Sequence, residues 1–133
     1  MSAALKWRGR VDNAELNALH AEGFGHALRD ADWEDQLARH SLGWVVARDT
    51  GRLVGFVNVA WDGGTHAFLL DTVVAVEHRG RGVGRSLVQA AVKGTAESGC
   101  EWLHADWESD LDPFYAEVCG FTPTSAGLHA LRE

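Results

Sequence analysis

Apolar and polar positions change their period several times along this chain, and each change marks an element. Leu5, Trp7, Gly9 and Val11 alternate with Lys6, Arg8 and Arg10, the period of a half-exposed first strand. Leu16 and Leu19 then mark one helical face behind Asp12 or Asn13, either of which can cap a helix. Gly23-Phe24-Gly25-His26 breaks that helix. A second helix is expected over residues 32–40, where Trp33 and Leu37 stand four apart. Residues 44–48 read as a strand, Asp49-Thr50-Gly51 as a turn, and residues 53–61 as the strand returning from it. After a second turn at Asp62-Gly63-Gly64, residues 67–76 complete an antiparallel meander.

The period then changes to that of a helix. Leu87, Val88, Ala91 and Val92 share one face of a long helix over residues 82–98, and Gly99 suits its C′ position. Residues 102–106 read as a fifth strand, parallel to the fourth because a helix joins them. Asp112-Pro113 is a helix start with an N-cap and a Pro at the first position, and that helix ends at Gly120. Phe121-Thr122 and residues 128–131 read as two short final strands. These elements make an α/β fold with a central mixed, mostly antiparallel sheet of six to seven strands and flanking helices. They are expected to form one domain over residues 1–133.

The chemistry concentrates where the fourth strand meets the long helix. The run Leu69-Leu70-Asp71-Thr72-Val73-Val74-Ala75-Val76 leads into Arg79-Gly80-Arg81-Gly82-Val83-Gly84-Arg85. A buried strand feeding a glycine-rich turn that opens a helix is a device for holding phosphates. The first N–H groups of a helix lack intrahelical partners, and the macrodipole puts partial positive charge there. Glycines let the backbone approach an anion, and arginines add charge-assisted hydrogen bonds. A P-loop would need Lys-Ser/Thr after a longer loop, whereas Arg85-Ser86 follows a shorter one. A dinucleotide fold would want G-x-G-x-x-G near the start of a βαβ unit, which Gly80-Arg81-Gly82-Val83-Gly84 is not.

Composition narrows the setting. The hydrophobic share of 46% and charged share of 23% are those of a globular protein. A net charge of -7 argues against nonspecific nucleic-acid binding and makes Arg79, Arg81 and Arg85 a local positive site on an acidic body. No apolar run reaches the length of a membrane span, and Met1 to Lys6 lack a signal-peptide core, so a cytoplasmic location is expected. Cys100 and Cys119 have no metal-type spacing, and the seven histidines form no H-x-x-x-H or H-x-H cluster, so no metal is expected. Six tryptophans leave room for an aromatic interface and hence a homodimer.

Arg79-x-x-Gly82-x-Gly84, with Val74 five residues before the Arg, resembles the coenzyme A pyrophosphate loop of the GNAT-type N-acetyltransferase superfamily. Phe114-Tyr115-Ala116-Glu117-Val118-Cys119-Gly120-Phe121 is similar to a second signature of that family, with one extra residue between Tyr and Gly. The two signatures lie within the C-terminal half of the chain. The resemblance implies a sheet splayed between its fourth and fifth strands, with acetyl-CoA as co-substrate. It implies main-chain contacts to the pantetheine arm from Thr72, Val73 and Val74. The amides of Gly80, Arg81, Gly82, Val83, Gly84 and Arg85 would then face the pyrophosphate. Arg79 and Arg81 either join them or stay solvated. Val76 stands where the family often has Pro.

Acetyl transfer needs a neutral amine and an acid for the departing thiolate. Tyr115, the only tyrosine, matches the family residue that donates to the coenzyme sulfur. Asp71, three residues before Val74, stands where many relatives carry an acidic residue facing the acceptor. Its rivals as base are Asp106, Glu108, His66, His104 and a water chain. Glu108 replaces the Asn that many relatives place there. Phe24 and Trp33 are candidates to line the acceptor site. The resulting expectation is direct transfer of acetyl to a primary amine, on a small molecule or a peptide, in a ternary complex. The alternatives are a non-catalytic acyl-CoA-binding module of the same fold and a nucleotide-binding protein using the same loop.

Overall fold

The structure, a computed structural model, describes residues 3–132. One sheet holds five strands in chain order: β1 (Ala4–Trp7), β2 (Ser41–Asp49), β3 (Arg52–Trp61), β4 (His66–Val74) and β5 (Trp102–His104). Neighbours from β1 to β4 are antiparallel. β4 and β5 are parallel, because helix α3 (Val83–Glu97) carries the chain back between them. Helices α1 (Asn13–Phe24) and α2 (Trp33–His40) connect β1 to β2, and a fourth helix, Pro113–Val118, follows β5.

The N-terminal signals act as expected. Asp12 caps α1: its carboxylate accepts from the Ala14 N–H at 2.8 Å, and Glu15 reaches back to the Asp12 N–H at 3.2 Å. Glu15 also meets Arg48 of β2 at 2.5 Å, which ties the cap to the sheet. Asp32 caps α2 through the Asp35 N–H at 3.1 Å. β1 is shorter than the alternation predicts, because Arg8 takes φ +58° and turns the chain away after Trp7.

α1 and α3 cover opposite faces of β4. Val73 lies against α1, where a Cβ on Gly23 would fall 2.0 Å from its Cγ2. Val74, the next residue, lies against α3 near Gly84. Successive strand side chains point to opposite faces, so the helices sandwich the strand. β3 is the middle of this sandwich and is buried continuously from Leu53 to Val59. Leu87 and Val88 of α3 are fully buried beneath it, and each such side chain stabilises the fold by about 1.5–3 kcal/mol. Trp7 is held between Gly43 of β2 and Gly94 of α3, where added Cβ atoms would come within 2.1 and 2.6 Å of its ring.

Two expectations at the C-terminal end are corrected. The final strands over Phe121-Thr122 and residues 128–131 do not form among the described residues, so the sheet has five strands, not six or seven. Leu128 and Leu131 are 83% and 91% exposed. Their spacing found no sheet edge to bury against, and without burial a short apolar run gains nothing from pairing. Asp112 does not cap the fourth helix. It takes helical angles itself, and its carboxylate accepts from the Trp107 indole N–H instead. That helix is wound wide, with the Cys119 N–H reaching the Phe114 carbonyl five residues back at 2.9 Å.

Candidate active site

The site begins with a defect in β4. Phe56 of β3 pairs with Val73, but Asn58 pairs with Leu70, so β4 uses three residues where β3 uses two. The extra residue makes a bulge at Asp71 and Thr72. Asp71 takes φ +58°, a left-handed conformation that is costly for a residue with a side chain. The bulge turns the Asp71 carboxylate toward α1, where its Oδ1 lies 3.1 Å from His20 Nε2.

Beyond the bulge β4 loses its other neighbour. β5 pairs with β4 only from His66 to Phe68, and the strands splay from there. The Ala75 N–H still donates to the Val54 carbonyl at 2.8 Å. Antiparallel pairing alternates, so the polar groups of Val74 face the opened side. The Val74 carbonyl accepts there from Arg79 Nε at 3.2 Å.

The loop then delivers a row of donors. Gly80 and Gly82 take φ +77° and +81°, and an added Cβ would meet nothing within 4 Å of either. Gly82 heads α3 without a side-chain cap, and no acidic residue sits in the first turn. Among the described residues, the N–H groups of Gly80, Arg81, Gly82, Val83, Gly84 and Arg85 have no acceptor. The first intrahelical bond of this stretch runs from Ser86 to Gly82 at 3.0 Å. Convergent amides at a helix N-terminus, open space beside the glycines and exposed Arg81 and Arg85 suit a diphosphate. Arg79 is different: its Nη2 donates to the Gly23 carbonyl at 2.8 Å, so with Nε it clamps the end of α1 to β4.

Along β4 the splay opens a cleft of about 580 Å³, lined by residues 69–72 of the strand and by none of the loop. Leu70, Asp71 and Thr72 form one wall, and Asp106, Trp107 and Tyr115 contribute to the other. Tyr115 is buried and stacks on Trp107, with Phe114 and Phe121 edge-on to it. Burial pushes its phenol above the ordinary tyrosine range, and the Thr72 side chain across the cleft pulls the other way. Three carboxylates, Asp71, Asp106 and Glu108, line the cleft. That arrangement attracts a cation.

The predicted residues are thus divided. Asp71, Thr72 and Tyr115 meet in the cleft, with Asp106 and Glu108. Phe24 lines it too, whereas Trp33 packs in the core against Phe56, ring centroids 6.0 Å apart. His66 and His104 face each other at 2.8 Å on the paired end of β4 and β5. His20 and His26 belong to no motif in the sequence. One signal for His20 was available: it stands four residues after Leu16, on the buried face of α1.

The sequence model of the acetyltransferase (GNAT) family matches residues 12–121. The chain belongs to that family. It is 34% identical over 113 residues to mycothiol acetyltransferase of Nocardia farcinica (strain IFM 10152), a match covering 77% of this chain and 36% of the relative. The chain therefore spans about a third of that relative's length. Among solved structures it resembles a putative acetyltransferase from Agrobacterium tumefaciens str. C58, with a TM-score of 0.80, 20% identity and coverage of 97% and 99% of the two chains. It also resembles a GNAT family N-acetyltransferase from Escherichia coli in complex with CoA, with a TM-score of 0.68, 20% identity and coverage of 91% and 69%. At such identities the likeness shows the fold. Within the described residues, no helix is long and apolar enough to cross a membrane.

Proposed function

We propose that this chain transfers an acetyl group from acetyl-CoA to a primary amine by direct attack. The observation that carries this reading is the row of six uncommitted amides, Gly80 to Arg85, beside the split between β4 and β5. The co-substrate supplies an acetyl thioester. The loop amides hold its diphosphate, with charge from Arg81 and Arg85. Arg79 offers its remaining nitrogen while it clamps α1. The main-chain groups of Val74, with those of Thr72, align the pantetheine arm along the unpaired side of β4, whereas those of Val73 are turned to Phe56 of β3 and do not take the part expected of them. The Val74 N–H donates to the thioester oxygen as it gains charge.

Asp71 takes one proton of the acceptor ammonium before attack; Tyr115 gives its proton to the departing sulfur and recovers one from the second N–H bond that the nitrogen breaks as the amide forms. A buried phenol keeps its proton through the neutral range, so the donor is present when the thiolate leaves. The acidic cleft draws an ammonium group. The acceptor class is an amine on a small molecule or a peptide.

Thermal-shift measurements with CoA, acetyl-CoA, ATP and NAD test the binding half. The two coenzymes should raise Tm, and ATP and NAD should not. A rise with ATP or NAD alone would overturn the reading. Turnover is tested with acetyl-CoA against glucosamine, spermidine, kanamycin and a peptide with a free N-terminus, following release of the free thiol. Amine-dependent thiol release is expected with at least one of them. Coenzyme binding without any amine-dependent release would make the chain a binding module.

A further inference from the structure

Three polar side chains run in a line from the cleft to the surface. Asp71 Oδ1 lies 3.1 Å from His20 Nε2, His20 Nδ1 lies 2.6 Å from His26 Nε2, and His26 Nδ1 lies 2.7 Å from the Ala27 carbonyl. We infer that His20 and His26 relay the proton that Asp71 takes from the acceptor amine, passing it to solvent as positioning residues behind the base. The inference rests on Asp71 being that base.

Local structure explains how the line forms. His20 and Gly23 stand on one face of α1, three residues apart. Gly23 packs directly on Val73, which brings His20 over the bulge. Gly25, at φ +72°, ends α1, and the Gly25 and His26 N–H groups both reach back to the Ala21 carbonyl, at 2.9 and 3.1 Å. That reversal places the His26 ring against the His20 ring, centroids 4.9 Å apart. Phe24 and Trp33 flank His20 at 4.6 and 5.4 Å, and its side chain is 14% exposed. His20 is screened from water, whereas Asp71 and His26 are partly open.

Counting protons shows what the chain does. Three contacts need three bridging protons, and two neutral imidazoles supply only two. The Ala27 carbonyl has none to give. When a third proton is present, on an imidazole or on the Asp71 carboxyl, all three contacts are bridged and the trio is net neutral. Without it the trio carries one negative charge and one contact loses its hydrogen. The line thus accepts and releases one proton. An acceptor ammonium breaks one N–H bond, keeps the electron pair for attack, and adds its proton to the line. His26, the outer member, returns one to water by breaking its Nδ1–H bond, which gives up the hydrogen bond to the Ala27 carbonyl. Without the relay, the proton would remain on Asp71 at the mouth of an acidic cleft also lined by Asp106 and Glu108.

The test uses nitrogen-15 NMR of the histidine side chains and kinetics with whichever amine of the panel above is turned over. A scalar coupling across the His20 Nδ1 to His26 Nε2 hydrogen bond is expected, and His26→Asn should abolish it. His20→Gln keeps a donor to Asp71 but cannot relay. It should lower kcat by about 10- to 100-fold, within the range of proton-transfer contributions, with KM for both substrates nearly unchanged. Added imidazole should restore much of the kcat lost in His20→Ala, which a purely structural role would not allow. If Asp71→Asn loses turnover while His20→Gln and His26→Asn keep it, the relay is wrong and the base assignment stands. If Asp71→Asn keeps turnover, the base assignment fails and the relay fails with it. Absence of the coupling in the wild-type protein would also overturn the relay.

Discussion

Tyr115 lies flat against Trp107, with ring centroids 5.0 Å apart and planes 13° from parallel. Trp107 is itself held by its indole N–H on the Asp112 carboxylate. The phenol is therefore fixed by packing at the cleft wall, and its hydroxyl is not needed to hold the ring. Tyr115→Phe should change stability by no more than about 1 kcal/mol. Turnover should fall by about 10²-fold or more, with the Kd of acetyl-CoA nearly unchanged. Equal turnover in the variant would remove Tyr115 as the acid. Because burial holds the phenol above its ordinary range, wild-type kcat should show no loss from this group through neutral pH. The loss should begin only at a pH above the range in which an ordinary tyrosine ionises.

The loop glycines fail for different reasons. Gly82 sits at φ +81° with open space where a side chain would go. Gly82→Val would strain the backbone and fill the space beside the amides. Gly84 takes an ordinary conformation but faces Phe114 at 3.4 Å and Val74 at 3.7 Å. Gly84→Val would push the fourth helix from the loop. Both variants should lose CoA binding in calorimetry. Gly84→Val should also perturb Tyr115, next to Phe114, and so lower near-ultraviolet dichroism from the aromatic cluster.

Gly94 runs against the usual helix rule. Ala normally stabilises a helix interior by about 1 kcal/mol over Gly. Here a Cβ would fall 2.6 Å from the Trp7 ring, and overpacking costs about 1–3 kcal/mol. Gly94→Ala should lower stability in urea denaturation. A stabilised variant would show that Trp7 can move without cost.

Glu15 predicts the acid side of the stability profile. Its hydrogen bond with Arg48 lowers its pKa, with burial opposing and the Asp12 N–H assisting. A carboxylate whose folded pKa is depressed stabilises the fold above its unfolded value, about 4.3. That contribution fades as pH falls through the folded value. Glu15→Gln should cost about 1–2 kcal/mol at pH 7. The gap from wild type should narrow below about pH 4. A gap constant with pH would assign the loss to shape alone.

The sequence by itself determined the order of the elements through α3 and the place where a glycine-rich turn opens that helix. Period alone located α1, α2, the meander and α3, because each buries one face and a buried face must repeat with its element. The glycine-rich loop was legible because glycines and a helix start are local features. The C-terminal strands were misread because a strand needs a partner edge, and edges are not written in local spacing. The tertiary structure alone decided that seven scattered histidines include a contacting pair, His20 and His26, behind Asp71. Asp71 lies 51 residues from His20, and only the Gly25 reversal at the end of α1 brings His26 back to His20. They meet because Gly23 lets α1 settle on Val73 and because a one-residue bulge turns Asp71 toward the helix. Such juxtapositions depend on packing distances between elements, which a linear pattern does not carry.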